Sequence, residues 1–181
     1  MVIKRLDEID EETAIDVAKY MLASMITAPK TKGVNDLTVS MVYGDDLNRL
    51  SDKMRSLSEN GDKNYIRDAK GVDDALVVVL IGIKESRYAG LDCGACGFDC
   101  KGVVENRRKG KDFYGPICAL KLVDMGIAIG SAVKIASMFN IDNRIMYRIG
   151  AAALQIGQID GDIALGIPLT IMGKNPFFDR R

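Results

Sequence analysis

The stretch LVVVLIGIKESRYAGLDCGACGFDC, residues 76–100, joins two unlike pieces of chain. Residues 76–83 are apolar without a break and rich in valine. A strand with one wet face alternates polar and apolar residues, whereas an unbroken run of this length is how a strand buried on both faces reads. Layers on both sides of a sheet are therefore expected. Residues 93–100 then hold Cys93, Cys96 and Cys100. The fourth and last cysteine of the chain is Cys118, giving Cys93-x2-Cys96-x3-Cys100-x17-Cys118.

Outward from this stretch the pattern is regular. Upstream, residues 11–28 carry Ala14, Val17, Ala18, Met21, Leu22 and Met25 at helical spacing, with Asp10 as the expected N-cap and Pro29 as the stop. LTVSMVY (37–43) alternates as a strand, with Leu37, Val39, Met41 and Tyr43 on one face. Residues 45–59 form a second helix with Leu47, Leu50, Met54 and Leu57 inward, stopped by Asn60-Gly61. Downstream, a helix from near Cys118 to about Phe139 is apolar nearly all round and is expected to be central. Its Gly126 and Gly130 sit about one turn apart and would let a backbone or a flat ligand come close. A further helix is expected over 142–156, capped by Asp142, and a last strand over 162–169. The order implies a layered α+β domain with at least three strands. No internal repeat or long linker divides it, so residues 1–181 read as a single domain with a cysteine-rich insert at 84–118.

Composition narrows the function. The chain has 181 residues, 25 basic and 25 acidic, no histidine and no tryptophan. A balanced charge offers no global field for nucleic acid or an anionic membrane. The absence of histidine removes the commonest general base and metal ligand. The N-terminus has no apolar signal region, and the longest apolar stretch, 117–139, carries Lys121, Asp124 and Lys134. Each such charge costs about 2.5–3.5 kcal/mol at a membrane centre. A cytoplasmic protein is expected, and there clustered cysteines point to metal before disulfide.

Three readings of the cysteines compete. An iron–sulfur cluster needs soft thiolates converging on iron and sulfide. A short loop supplies three of them, and Gly94 and Gly97, each following a cysteine, allow unusual backbone angles and close approach. Cys118 arrives from a distance at a helix start, two residues after Pro116. Zinc is the alternative, though four-thiolate zinc sites favour two separate C-x2-C knuckles. Disulfides or a plain thiol cluster are the third. Between the ligands, Lys101, Arg107, Arg108, Lys109 and Lys111 stand against Glu105, a balance that would stabilise a reduced cluster and steer an acidic electron donor.

The cysteine segment resembles small cluster domains with the pattern C-G-x-C-G-x-x-x-C and a distant fourth cysteine; this chain has one residue fewer between the second and third. LASMITAPKTKGVNDL, LDCGACGFDC, DNRIMYRIGAAA, ALGIPL and GKNPFFDR together resemble a family of uncharacterised proteins containing a ferredoxin domain. That resemblance implies a 4Fe–4S cluster on Cys93, Cys96, Cys100 and Cys118. Outside the insert the chain is similar to the flavin-dependent nitroreductase fold. Ala28-Pro29, Asn35, LTVSMVY, LVVVLIGI, LVDMGIAIGSAVKIA and Gly166-Ile167-Pro168 match that fold in order. This second resemblance implies a homodimer with FMN at the subunit interface, and Lys30, Asn35, Lys174 and Arg180 as flavin contacts. The R-x-S-x-R segment that grips the flavin phosphate is missing; Lys4 and Arg5 lie in that region without its spacing. The function expected is an iron–sulfur redox protein exchanging electrons with a donor or acceptor protein. The alternative is a non-catalytic module with the cluster or zinc as a structural staple.

Overall fold

In the computed structural model, residues 3–59 and 62–178 are described. Asn60-Gly61 and Arg180 lie outside them. The elements in order are α1 (Asp10–Thr27), β1 (Leu37–Tyr43), α2 (Asp45–Ser58), α3 (Asn64–Asp73), β2 (Val77–Ile83), α4 (Cys100–Glu105), β3 (Arg108–Lys109), β4 (Tyr114–Gly115), α5 (Ala119–Met138), β5 (Asp142–Asn143), α6 (Tyr147–Gln155) and β6 (Ile163–Thr170). Four strands form one sheet in the order β1-β2-β6-β5, every pairing antiparallel. The short β3–β4 hairpin stands apart from it.

All seven residues of β2 are buried, and their alternation divides the protein into two cores. Val77, Val79, Ile81 and Ile83 face a layer built from α1 and α5, with Met21, Met25, Met125 and Ile129 among its members. Val78 and Leu80 face the other way, onto α2, α3 and α6, with Leu50, Met54, Tyr65 and Ile149. An unbroken apolar run is required because neither face of the strand meets water. On β1, Leu37 with Val39 and Met41 joins the first core and Val42 the second.

Helix α6 lies so close to β6 that only glycine fits at their contact. A Cβ on Gly150 would stand 2.0 Å from the carbonyl oxygen of Ala164, and one on Gly166 would stand 2.1 Å from Ile149. The close approach expected at Gly126 and Gly130 is absent within the described residues: a Cβ on either would meet nothing within 4 Å.

Three expectations are corrected. Helix α6 begins at Tyr147, because Asp142 and Asn143 pair with Thr170 and Leu169 as an edge strand instead of capping a helix. Asp10 opens α1 from inside the helix; its Oδ1 accepts from the N–H of Glu11, and the N-cap position is Ile9. Helix α5 is not enclosed by its own chain. Its buried face holds Met125, Ala128, Ile129, Ala132 and Ala136, while Leu122, Val123 and Ile127 point to solvent, followed by Met138 and Phe139. Among the described residues no helix is long and apolar enough to cross a membrane.

Candidate functional site

Eight of the ten residues 91–100 are exposed, so hydrogen bonds and backbone geometry shape this loop, and packing contributes little. Asp92, Gly94 and Gly97 have φ of 45°, 70° and 85°, a region that L side chains other than those of Asn and Asp enter at a cost. The N–H of Gly97 donates to the carbonyl of Gly94 (2.9 Å). Asp92 closes the loop on Cys100 twice: its N–H points at Cys100 Sγ (3.3 Å), and its Oδ1 accepts the Cys100 N–H (2.8 Å). The Cys100 backbone N–H thereby holds the Asp92 carboxyl below the usual range. Asp99 then caps α4, its Oδ1 accepting from the N–H of Gly102. Cys93 is exposed, Cys96 and Cys100 are half-buried, and all four cysteines are unbridged.

Cys118 is buried and is the N-cap residue of the 20-residue helix α5. Among the described residues no three His, Cys, Asp or Glu side chains are placed to share one metal ion. A single zinc ion gathers its sulfur ligands at about 2.3 Å, and either centre would need the four thiols to converge. A four-iron cube is a larger body whose thiolates each bind a different iron, and it keeps them farther apart. Only sequence neighbours of the cysteines meet at one hollow. Phe98, between Cys96 and Cys100, and Pro116, two residues before Cys118, line one hollow of about 360 Å³.

One turn into α5 lies a group that nothing in the sequence pattern signals. Lys121 is 1 % exposed. Its ammonium reaches Asp36 Oδ2 at 2.9 Å, Asp124 Oδ2 at 3.3 Å and the Val34 carbonyl at 3.3 Å. Asp124 Oδ1 in turn accepts from the N–H and the hydroxyl of Thr31, both at 2.8 Å. Burial alone would lower the lysine pKa, but Asp36 and Asp124 outweigh it and hold it raised. The triad ties α5 to the start of β1 directly behind Cys118. In the sequence, Lys121 and Asp124 read as charges that exclude a membrane span; only the fold brings Asp36 to them.

A second ionic group fastens the insert to the sheet. Arg107 Nε and Nη2 donate to Asp162 Oδ1 at 2.8 and 2.6 Å. The other oxygen of Asp162 accepts the Ser86 N–H at 2.7 Å, and the Asp162 carbonyl accepts from Tyr114 N–H at 2.9 Å. The guanidinium also covers the Tyr114 ring at 4.0 Å. Arg107 is thus a structural latch, whereas Arg108, Lys109 and Lys111 are exposed.

The flavin candidates among the described residues do not converge within one chain. Lys30 donates to the carbonyls of Met25, Ile26 and Ala28 at 2.7–2.8 Å. All three donors of its ammonium are engaged at the C-terminus of α1, so a phosphate contact would require breaking that cap. Asn35 precedes β1; its Oδ1 accepts from the Leu37 N–H, and its carbonyl accepts from Lys84. Lys174 lies elsewhere, on a hollow of about 600 Å³ beside α3. Lys63, Arg67 and Lys70 share this hollow with the apolar Ile66, Met146, Met172 and Phe177. Its size falls in the range of small-molecule sites, about 300–1,000 Å³. Asp68 and Asp74 line it as well, and Arg67 donates to Asp68.

This arrangement of sheet and helices recurs in solved nitroreductases. A variant of the FMN and NADPH-dependent nitroreductase NfnB from Sphigopyxis sp. strain HMH superposes with a TM-score of 0.58 at 10% identity, over 92% of this chain and 83% of that one. Nitroreductase A from Vibrio parahaemolyticus superposes with a TM-score of 0.52 at 14% identity, over 92% of this chain and 61% of that one. The fold is the α+β nitroreductase fold, and the cysteine-rich region is set into it. Residues 114–180 match the family described as "Uncharacterized protein containing a ferredoxin domain". An uncharacterized protein of Archaeoglobus fulgidus is 46% identical over 164 residues, 90% of this chain and 89% of that protein. The chain belongs to this ferredoxin-domain family.

Proposed function

We propose that this protein is a redox protein, a single domain of nitroreductase fold whose insert, 84–118, holds a 4Fe–4S cluster on Cys93, Cys96, Cys100 and Cys118. The observation that carries the proposal is the glycine-shaped loop itself, which holds three unbridged cysteines in a conformation that packing does not explain, with the fourth at the N-cap of α5. When bound, the cluster supplies one-electron chemistry that no side chain of this composition offers. The chain's own residues do the rest. Asp92 sets the height of Cys100, and its N–H points at the sulfur, an interaction that tunes potential in such sites. Helix α5 holds Cys118 at its N-cap position. The Arg107 latch holds the hairpin that leads to Cys118 against the sheet.

The hollow beside α3 is the proposed flavin site, with Lys174 and the neighbouring cations toward the phosphate and Met146 and Phe177 toward the ring. Arg180 is the further candidate. Asn35 lines a different surface, and a homodimer reconciles the two places by letting the Lys30–Asn35 loop of one protomer meet the hollow of the other. The solvent-facing apolar side of α5, with Gly126 and Gly130 open on it, is the face proposed to be buried between the copies. We place the protein in the cytoplasm.

Iron, sulfide, zinc and flavin content per chain of anaerobically isolated protein tests the proposal. The expected result is about four iron and about four sulfide, the content of a cube ligated by four cysteines, with reversible bleaching by dithionite. Colourless protein carrying one zinc would overturn it in favour of a structural staple. Cys118→Ser is expected to lose iron while the sheet stays folded.

A further inference from the structure

The β3–β4 hairpin presents an excess of positive charge next to the cysteine loop, Arg108, Lys109 and Lys111 against Asp112. Arg108, Lys109 and Lys111 are exposed, and no ion pair involving them occurs among the described residues, unlike the neighbouring Arg107, which is bound to Asp162 and Glu85. The acids around them keep their charge but are engaged elsewhere, although Lys109 and Lys111 line a hollow with Asp62 and Asp112. Asp92 and Asp99 accept backbone N–H groups, Glu105 pairs with Lys101 at 3.1 Å, and Asp112 accepts from the Tyr65 hydroxyl. Three cations without an ion pair lie within four residues, where like charges held together repel. Beside them Phe98, 38 % exposed, opens onto the hollow lined by Arg108, Lys109, Phe113 and Tyr114. An aromatic centre with a cationic rim is how a protein–protein docking surface is built. The latch from Arg107 and Tyr114 to Asp162 fixes this surface on the sheet, so little ordering is needed on binding.

We propose that an acidic one-electron carrier protein docks on this face, with Phe98 at the centre of the contact and Arg108, Lys109 and Lys111 meeting its carboxylates. The proposal rests on the redox reading above. In the step it serves, the reduced carrier loses one electron and the cysteine-held centre gains it; no bond forms or breaks and no proton moves. Opposite charge explains the choice of occupant, and proximity of the cations to the cysteine loop explains its purpose.

The test uses the protein isolated anaerobically with its metal and, as probe, an acidic plant-type [2Fe–2S] ferredoxin. Binding is read by fluorescence anisotropy of labelled ferredoxin at about 20 and about 200 mM salt. The wild type is expected to bind saturably at low salt and to weaken as salt rises, and the triple reversal R108E/K109E/K111E to bind about tenfold or more weakly. Reduction by dithionite, which needs no docking face, is expected to be equal in both. Phe98→Ala is expected to weaken binding without changing its salt dependence. Absence of saturable binding by the wild type, or binding by the triple variant within about twofold of it, overturns the proposal. So does tighter binding of a single-stranded oligonucleotide than of ferredoxin to the same residues. If dithionite fails to reduce the wild type, the redox reading itself fails, whatever the anisotropy shows. Should the reversal disturb folding, R108Q/K109Q/K111Q reads the same loss of charge.

Discussion

Strand β2 and the cysteine loop that follows it are held in shape by different forces. In β2 every side chain is buried, with alternate residues entering two separate cores. In residues 91–100 almost nothing is buried; positive-φ positions and the reciprocal bonds between Asp92 and Cys100 set the path. Burial of apolar area stabilises the sheet at about 25 cal/mol per Å². The loop has no such source, and a chain ordered without burial calls for something else to hold it. The difference teaches where to look for the ligand: in the segment whose conformation its own packing does not explain.

The comparison can be broken or sharpened by substitution. Lys121→Ala strikes the junction of α5 with the start of β1 and leaves Asp36 and Asp124 buried without their cation, so the largest loss is expected here, about 3–5 kcal/mol in denaturant unfolding. The same group gives a pH signature. The raised pKa of Lys121 means that its contribution is complete below the ordinary lysine value and fades only as pH rises through the raised one. Wild-type stability should therefore fall in strong alkali more steeply than that of the variant. Gly150→Ala strikes the scaffold alone. The new methyl meets the Ala164 backbone, and a loss of about 2–3 kcal/mol is expected by calorimetry.

Arg107→Ala strikes the insert, removing a charge-assisted bond worth about 2 kcal/mol from a partly exposed site. Amide exchange should accelerate across 84–118 and stay unchanged in β2. If exchange in β2 rises as much, the two regions form one cooperative unit and the contrast between them fails. Lys30→Met has the smallest expected effect, about 1 kcal/mol, from the lost cap on α1. Flavin content unaltered by Lys30→Met would fit a capping role; loss of flavin from a folded variant would restore Lys30 as a ligand.

Much of the scaffold was legible in the residues. The periodicity of 11–28 and 45–59 and the alternation of 37–43 lie where α1, α2 and β1 are found, and the apolar run at 76–83 became β2. Helix α3 went unread because NYIRDAKGVD buries Tyr65, Ala69 and Val72 among charges, so its apolar stripe is thin. The start of α6 was misplaced because Asp142 resembles a cap, and only a partner strand reveals it as part of an edge. Helix α5 was read as enclosed because composition reports how apolar a helix is and says nothing of what lies beside it.

The sequence by itself determined the number and order of cysteines, the two-sided central strand, the absence of histidine chemistry and the neutral overall charge. These are local or additive properties, and local pattern is enough to state them. Only the tertiary structure decided that Lys121 is buried between Asp36 and Asp124, that Arg107 is a latch while its neighbours stay unpaired, and that Lys30 and Lys174 stand on different surfaces. Each of these depends on contacts between residues distant in the chain, and the energy of a charge is fixed by the partners and the solvent that folding brings to it or removes.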